Sequence, residues 1–321
     1  MILLTGGAGF IGSCLLKKFN DNGIDDIVIV DHLGKGCKWK NLVGKKYFNF
    51  FGKDDFYANL LENGLDDDID TVIHLGACTD TTETDADYLM DNNLNLSILL
   101  STFALSKEAH FIYASSAATY GAGENGYSDT VFDNLRPLNP YGYSKHQFDL
   151  FVKEAEFDKK FVGLKFFNVF GPNEYHKGEM SSMIYKAYNQ IKETGKVQLF
   201  KSYKEDYKDG EQKRDFIYVK DVVDMIWKFY QDPKSKGIYN IGTGNATTWN
   251  ELMTAVFKAM NLEPNIEYID MPQSIRNQYQ YFTEADMKRM KRTKYYSKTT
   301  PIEEAVADYV QNYLMQDWQH L

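Results

Sequence analysis

Residues 1–12 read MILLTGGAGFIG, an apolar run that breaks into glycines at positions 6, 9 and 12. A buried parallel strand ending at Leu4 leads into a tight turn at Gly6. Gly9 lets the backbone approach a pyrophosphate, and Gly12 lets the following helix pack close to the sheet. The N-terminus of that helix offers unpaired N–H groups to phosphate oxygens. An ordinary glycine-rich turn could carry the same letters, so the next strand has to decide between the two readings. The run IVIV at 27–30 supplies that strand and ends in Asp31, nineteen residues beyond Gly12. A carboxylate at that place accepts hydrogen bonds from an adenine ribose. A dinucleotide site at the start of the chain is the expectation.

Outward from this motif, strand-like runs alternate with helix-length amphipathic segments, which is the pattern of an α/β fold with a doubly wound parallel sheet. Strands are expected at Ile2–Leu4, Ile27–Val30, Tyr47–Phe51, Thr71–Leu75, Phe111–Tyr113 and Val162–Phe166. Helices are expected at Phe10–Asn20, Asp55–Glu62, Asp85–Leu105 as one long element, and Tyr141–Ala155. Beyond Gly171 and Pro172 the alternation loosens, and YKEDYKDGEQKR at 203–214 reads as a mobile loop. The organisation predicted is a dinucleotide-binding domain over 1–168, to which about 215–245 returns, and a smaller mixed α/β substrate domain over 169–321. Thr248 with Glu251 three residues on forms a capping box ahead of the apolar run 252–260.

Composition excludes several classes. The 321 residues are 43% hydrophobic and 15% aromatic, enough to bury a substantial core. With 36 Lys and Arg against 45 Asp and Glu, the net charge is −9 and the lysines lie among acids, so no basic stripe offers a nucleic-acid footprint. No apolar run reaches the length needed to span a membrane, and a motif beginning at Thr5 leaves no room for a signal peptide. A cytoplasmic protein is expected. Cys14, Cys37 and Cys78 form no CxxC pair and fit reduced thiols in packing roles. Asp66, Asp68 and Asp70 have the rhythm of a calcium loop, but Thr71 and Ala77 replace its glycine and its glutamate. No metal site is expected, and His74, inside a strand, reads as a satisfied core residue.

The second chemical signal is PYGYSK at 140–145. Tyr141 and Lys145 share one helix face, so the ammonium can sit beside the phenol and favour its ionised form. Bringing a phenol from about 10 to near neutrality requires about 4 kcal/mol, which a lysine and a positive nicotinamide ring together could supply. Such a phenol serves as a general base. Tyr143 is an alternative phenol, and mere packing is the simpler alternative. Ser115 and Ser116 lie just past the carboxyl end of a buried strand, where ligands bind in open α/β sheets and a hydroxyl can orient a substrate alcohol.

TGGAGFIG, Asp31, SSAATYG at 115–121, YGYSK at 141–145 and RDFIYVKDV at 214–222 together resemble the extended short-chain dehydrogenase/reductase family, whose members act on nucleotide-activated sugars. The resemblance spans nearly the whole chain. GACTDTTETD at 76–85, YLMDNN at 88–93, FNVFGPNEYHKGEMSS at 167–182 and YQYFTEADM at 279–287 look most like the branch that inverts C6 of an ADP-linked heptose for the lipopolysaccharide core. That resemblance implies a transient 6-keto sugar and acid/base groups on both of its faces. Tyr141 is the first group, with Ser116 on the reacting hydroxyl and Lys145 on the nicotinamide ribose. Lys177, which could also be a solvated or phosphate-binding lysine, is the second.

The resemblance also implies the remaining contacts. Asp31 alone favours NAD, because a carboxylate repels a 2′-phosphate. Lys38 and Lys53 match positions around an adenosine phosphate, which makes NADP the expected cofactor and NAD the less favoured one. Phe10, Ile11, His32, Leu75, Gly76, Ala77, Cys78, Thr79, Asn93 and Val169 complete the cofactor side. His32 stands where the family usually has Asn. The substrate side comprises Ser116, Asn168, Glu179, Lys186, Phe200, Lys201, Ser202, Arg214 and Tyr279, and a guanidinium such as Arg214 suits a diphosphate. Glu179 replaces a small polar residue, and the charged loop after Ser202 is longer than the family's. A homo-oligomer is implied, a pentamer being one form of it. A 4,6-dehydratase is disfavoured because Ala117 and Ala118 occupy the places of its acid pair. A UDP-hexose 4-epimerase is the runner-up, and a non-catalytic NADP sensor has no use for a positioned base.

Overall fold

The computed structural model describes residues 1–63, 68–276 and 279–321. The strands are β1 (Ile2–Thr5), β2 (Ile27–Asp31), β3 (Asn49–Gly52), β4 (Thr71–His74), β5 (His110–Ser116), β6 (Val162–Phe166), β7 (Asn168–Phe170), β8 (Val197–Phe200), β9 (Lys213–Tyr218), β10 (Gly237–Ile241), β11 (Ala246–Thr248) and β12 (Ile266–Ile269). Seven of them form one parallel sheet in the order β3-β2-β1-β4-β5-β6-β10. The remaining strands form a three-stranded sheet, β11-β9-β7, and a parallel pair, β12-β8.

The helices that concern the site are α1 (Phe10–Asp21), α2 (Lys53–Asn63), α3 (Ala86–Leu89), α4 (Leu96–Ser106), α5 (Pro140–Glu154), α6 (Met183–Thr194), α7 (Val219–Tyr230) and α8 (Trp249–Ala259). Successive strand residues point to opposite faces. Leu4, Ile29, Ile73 and Ile112 therefore pack with the apolar sides of α1 and α7, while Leu3, Val28, Val72 and Phe111 pack with those of α4 and α5. Both faces are covered, which explains why the strand sequences are nearly continuous apolar runs. The strand order reverses at β1 and β4, so a crevice opens beyond their carboxyl ends.

Several expectations change in detail. The long helix expected over Asp85–Leu105 is interrupted by a π-helical stretch, Met90–Asn95, between α3 and α4. The wider turn swings Asn93 inward, where its amide brackets Cys78. Strand β5 runs on to Ser116 instead of ending at Tyr113, because β6 continues to pair with it through Ser116 and Phe166. The loop 203–212, expected to be mobile, is pinned: Ser202 N donates to Asp209 Oδ1 at 2.6 Å and Asn250 Nδ2 to the Asp209 carbonyl at 3.0 Å. Lys213 and Arg214 already belong to β9. The capping box of Thr248 and Glu251 forms at the start of α8.

Candidate active site

Turns at the carboxyl ends of the sheet strands converge on one cavity of about 740 Å³. Gly6, Gly9, Phe10, Ile11 and Gly12 form its floor, Asp31 and Lys38 one end, and Leu75, Gly76, Ala77, Cys78 and Thr79 a wall. Ser116, Tyr141, Lys145, Asn168, Val169, Lys177 and Glu179 line the rest. Asp80, Thr81, His176, Met180 and Ser181 also line it; they lie within the segments 76–85 and 167–182 that carry the resemblance but are not among the expected site residues.

The floor fits a dinucleotide. Gly6 has φ +71°, and a Cβ there would lie 2.7 Å from Gly76 N, while one on Gly12 would collide with the Gly6 carbonyl oxygen. The N-cap of α1 is Gly9, which makes no side-chain capping bond, so the first-turn N–H groups remain open to an anion. Asp31 accepts from Ala8 N at 2.8 Å and from His32 N at 2.6 Å, and it pairs with the Lys38 ammonium. Lys53 follows Gly52, the register partner of Asp31. Its ammonium donates to Asn92 Oδ1 at 2.9 Å and does not line the cavity. The His32 side chain is also outside the lining, and its carbonyl accepts from Lys38. Asn93 stands behind the wall and shapes it through Cys78.

Tyr141 enters from the first turn of α5, where Asn139 caps the helix through Gly142 N at 2.7 Å and Pro140 presets its start. Burial pushes its phenol up, opposed by a hydrogen bond from Ser116. Tyr143 is exposed and does not line the cavity. Lys145 does not sit on the phenol as the shared helix face suggests: its ammonium donates to the Ala114 carbonyl at 3.0 Å. Burial brings its pKa down to about 8. Ser115 also lines the cavity but commits its hydroxyl to Asp149 at 2.7 Å, whereas Ser116 bonds Tyr141. Lys177 enters from a separate turn, Tyr175–Met180. Burial lowers its pKa, opposed by Glu174, and its ammonium lies 5.6 Å from the Phe10 ring.

The other expected substrate residues lie outside this cavity's lining. Lys186 donates to the Glu179 carbonyl at 2.7 Å and pairs with its exposed carboxylate at 3.0 Å, a surface contact worth about 1 kcal/mol or less. Lys201 pairs with Asp270 at 3.2 Å beyond Phe200 at the end of β8, and Ser202 is held by Asp209. The Arg214 guanidinium donates to the carbonyls of Lys213 and Gln280 and lies 5.4 Å from the Tyr279 ring and 6.0 Å from that of Trp249. These groups form a separate aromatic cluster. Asp215 is wholly buried and accepts from Thr243 N, Gly244 N and Ala285 N, so it brackets the loops around that cluster.

Asp66 lies outside the described residues, and among the described residues no group of three or more His, Cys, Asp or Glu is arranged for a metal ion. Likewise no helix among them is long and apolar enough to cross a membrane. His74 is the satisfied core residue expected, with Nδ1 2.6 Å from Thr5 Oγ1 and Nε2 2.9 Å from Ser97 Oγ. Burial pushes its pKa down to about 3. The unfolded chain binds this proton near pH 6.5 and the folded one does not. Stability should therefore fall by about 1.4 kcal/mol for each pH unit from 6.5 down towards 3 through this group. Thermal unfolding between pH 6.5 and 4.5 should be less pH-dependent in His74→Gln than in the wild type, and equal slopes would refute the assignment.

Comparison with known proteins decides the family. Residues 2–242 match the sequence model of the NAD dependent epimerase/dehydratase family. The chain belongs to that family. It is 51% identical over 324 residues, covering 100% of both chains, to a protein of Nitratidesulfovibrio vulgaris named ADP-L-glycero-D-manno-heptose-6-epimerase. The crystal structure of the Helicobacter pylori protein of that name superposes with a TM-score of 0.81 at 29% identity, covering 97% of this chain and 95% of that one. MoeE5 in complex with UDP-glucose and NAD gives a TM-score of 0.76 at 25% identity, with 97% of each chain covered. In this chain the glycine turn opens α1, Asp31 ends β2, and Tyr141 and Lys145 lie on α5.

Proposed function

We propose that the chain is an isomerase that inverts C6 of ADP-D-glycero-D-manno-heptose to give ADP-L-glycero-D-manno-heptose through a transient 6-keto sugar. The observation that carries this reading is that two acid/base groups, Tyr141 with Ser116 and Lys177, enter one cavity from different chain segments above a glycine cradle. Full-length identity of 51% to a protein named for that reaction supports the choice of sugar.

Tyr141 takes the proton of the C6 hydroxyl while Ser116 holds that oxygen in line. The nicotinamide of a bound dinucleotide supplies the acceptor and later the donor of the C6 hydride. Lys145, its pKa brought down to about 8 by burial, holds its ammonium on the Ala114 carbonyl at the wall of the same cavity, one helical turn from Tyr141, where it can bind the nicotinamide ribose. The ketone then turns about its linkage, and Lys177 delivers or removes the proton at the oxygen in the turned-over position. An amine whose pKa is lowered by burial suits both directions of that transfer. The decisive test is incubation of the pure protein with ADP-D-glycero-D-manno-heptose and, separately, with UDP-galactose, with the products read by proton NMR. Inversion at C6 of the heptose is expected. Inversion at C4 of the hexose alone would establish the 4-epimerase, and no conversion of either would leave a binding protein.

NADP is the cofactor that the adenosine end favours. Lys38 pairs with Asp31 and offsets its charge, and Lys53, which follows Asp31's register partner Gly52 and holds Asn92, supplies a second cation on the neighbouring strand end. Because hydride returns within each cycle, the cofactor is expected to survive purification and to need no replenishment. Denaturing the pure protein and separating the released nucleotide should yield NADP, and recovery of NAD alone would reverse the assignment. Lys38→Ala combined with Lys53→Ala should shift the preference towards NAD by about tenfold or more, the equivalent of about 1.4 kcal/mol. An unchanged preference would place the phosphate elsewhere.

A further inference from the structure

Lys177 sits in a turn whose outer side is held by residues 319–321. The centre of this attachment is Asn41, only 1% exposed. Its Nδ2 donates to the Ala8 carbonyl in the glycine loop at 3.0 Å and to the Asn173 carbonyl, at the root of the Lys177 turn, at 3.1 Å. His176 Nδ1, next to Lys177 in the chain, lies 3.3 Å from the same nitrogen. Two carbonyl acceptors fix the orientation of the amide, so Asn41 Oδ1 is the acceptor for His320 Nδ1–H at 2.7 Å. Burial, with Lys45 and Lys40 nearby, pushes His320 down to about 4, and its ring is neutral at pH 7.

The neighbouring bonds point the same way. Leu321 N donates to Asn173 Oδ1 at 2.8 Å, and the Lys45 ammonium donates to the Leu321 carbonyl. Tyr175 Oη, two residues before Lys177, donates to the Gln319 carbonyl at 2.7 Å, and its ring meets His320 edge-on with centroids 5.1 Å apart. Asn173 itself has φ +77° and bonds Ser13 Oγ in α1 at 2.9 Å. Residues 319–321 do not line the cavity. Through Asn41 they reach Ala8 in the glycine loop, and through Asn173 and Tyr175 they reach the turn that carries the second amine.

We propose that residues 319–321 are a latch that positions Lys177 over the glycine loop, with His320 and Asn41 as positioning residues. The proposal rests on the reading of Lys177 as the second acid/base group. Without the latch Asn41 loses the partner of its Oδ1, Asn173 and Tyr175 lose their outer bonds, and the turn is held to the glycine loop and α1 by the Asn41 and Asn173–Ser13 bonds alone, so Lys177 samples positions away from the sugar. A displacement of about 1 Å at such a group costs on the order of 100-fold in rate.

The test uses the full-length holoenzyme. His320→Ala should lower kcat for epimerisation by about 10- to 100-fold, with KM and bound nucleotide unchanged. In the same variant, brief labelling with acetic anhydride read by mass spectrometry should modify Lys177 several-fold faster, while labelling of Lys159, exposed and far from this turn in the chain, stays constant. His320→Gln keeps an N–H within reach of Asn41 and should recover most of the rate. Adding His320→Ala to Lys177→Met should cause no further loss. Tyr175→Phe removes one latch bond without emptying volume and should move both readouts in the same direction, so it decides the matter if His320→Ala fails to fold. Wild-type kcat and wild-type Lys177 labelling in both variants would overturn the latch. So would a loss of rate that tracks loss of fold or nucleotide with labelling unchanged. An active Lys177→Met would instead overturn the role of Lys177, and the labelling would still report on the latch.

Discussion

Tyr141→Phe and Lys177→Met are each expected to lower the epimerisation rate by about 10²- to 10⁴-fold, the range that a positioned proton-transfer group contributes, while leaving the dinucleotide bound. Neither substitution removes a hydrogen bond of the glycine loop or a bond to Asp31. The reasoning is geometric: one group cannot serve both positions of a ketone oxygen that has turned over in the cavity. The two variants should therefore differ in partial reactions. Given an aldehyde probe that needs proton transfer on one side only, each single variant should keep part of its activity, and the double variant should lose it. Stopped-flow absorbance of the nicotinamide together with NMR of the sugar makes both measurements. Near wild-type epimerisation by Lys177→Met would remove Lys177 from the chemistry and leave the opposite face to Ser116, water or another residue.

The largest expected change in stability lies at Asp149. Its carboxylate accepts from Tyr113 Oη at 3.0 Å and Ser115 Oγ at 2.7 Å and pairs with Lys165 Nζ at 3.0 Å, both charged side chains being fully buried. Lys165 also donates to Thr119 Oγ1 at 3.0 Å and lies 4.6 Å from the Tyr120 ring. Asp149→Ala leaves that ammonium buried without its counter-charge, which should cost about 3–5 kcal/mol in urea unfolding. Asp149→Leu combined with Lys165→Met should recover much of the loss, since an apolar pair of similar volume often replaces a buried ion pair at little cost. If Asp149→Ala unfolds at the wild-type urea concentration, the pair contributes no such energy. The consequence reaches the site, because this pair fastens the end of β5 where Ser116 faces Tyr141.

Much of the floor of the site was legible in the sequence because its determinants are local. Gly6, Gly9 and Gly12 lie within one turn and one helix start, Asp31 closes the next strand, and Tyr141 and Lys145 are one helical turn apart. Backbone conformation over a few residues decides such positions, so spacing alone identifies them. The parallel sheet was legible for a similar reason, since strands covered on both faces read as continuous apolar runs.

What the tertiary structure decided depends on contacts between distant segments. The helix face shared by Tyr141 and Lys145 gave no hint that the Lys145 ammonium would bond the Ala114 carbonyl of β5. Nothing in spacing announced the π-helical stretch that turns Asn93 towards Cys78, or that Arg214 would direct its donors at two carbonyls and lie outside the Lys177 cavity. Asn41 is a single polar letter in the sequence, yet folding places it between Ala8, Asn173 and His320, up to 279 residues away. Local propensity specifies the backbone of each element. Which side chains meet is set by the packing of elements far apart in the chain, where each buried polar group must find its partner.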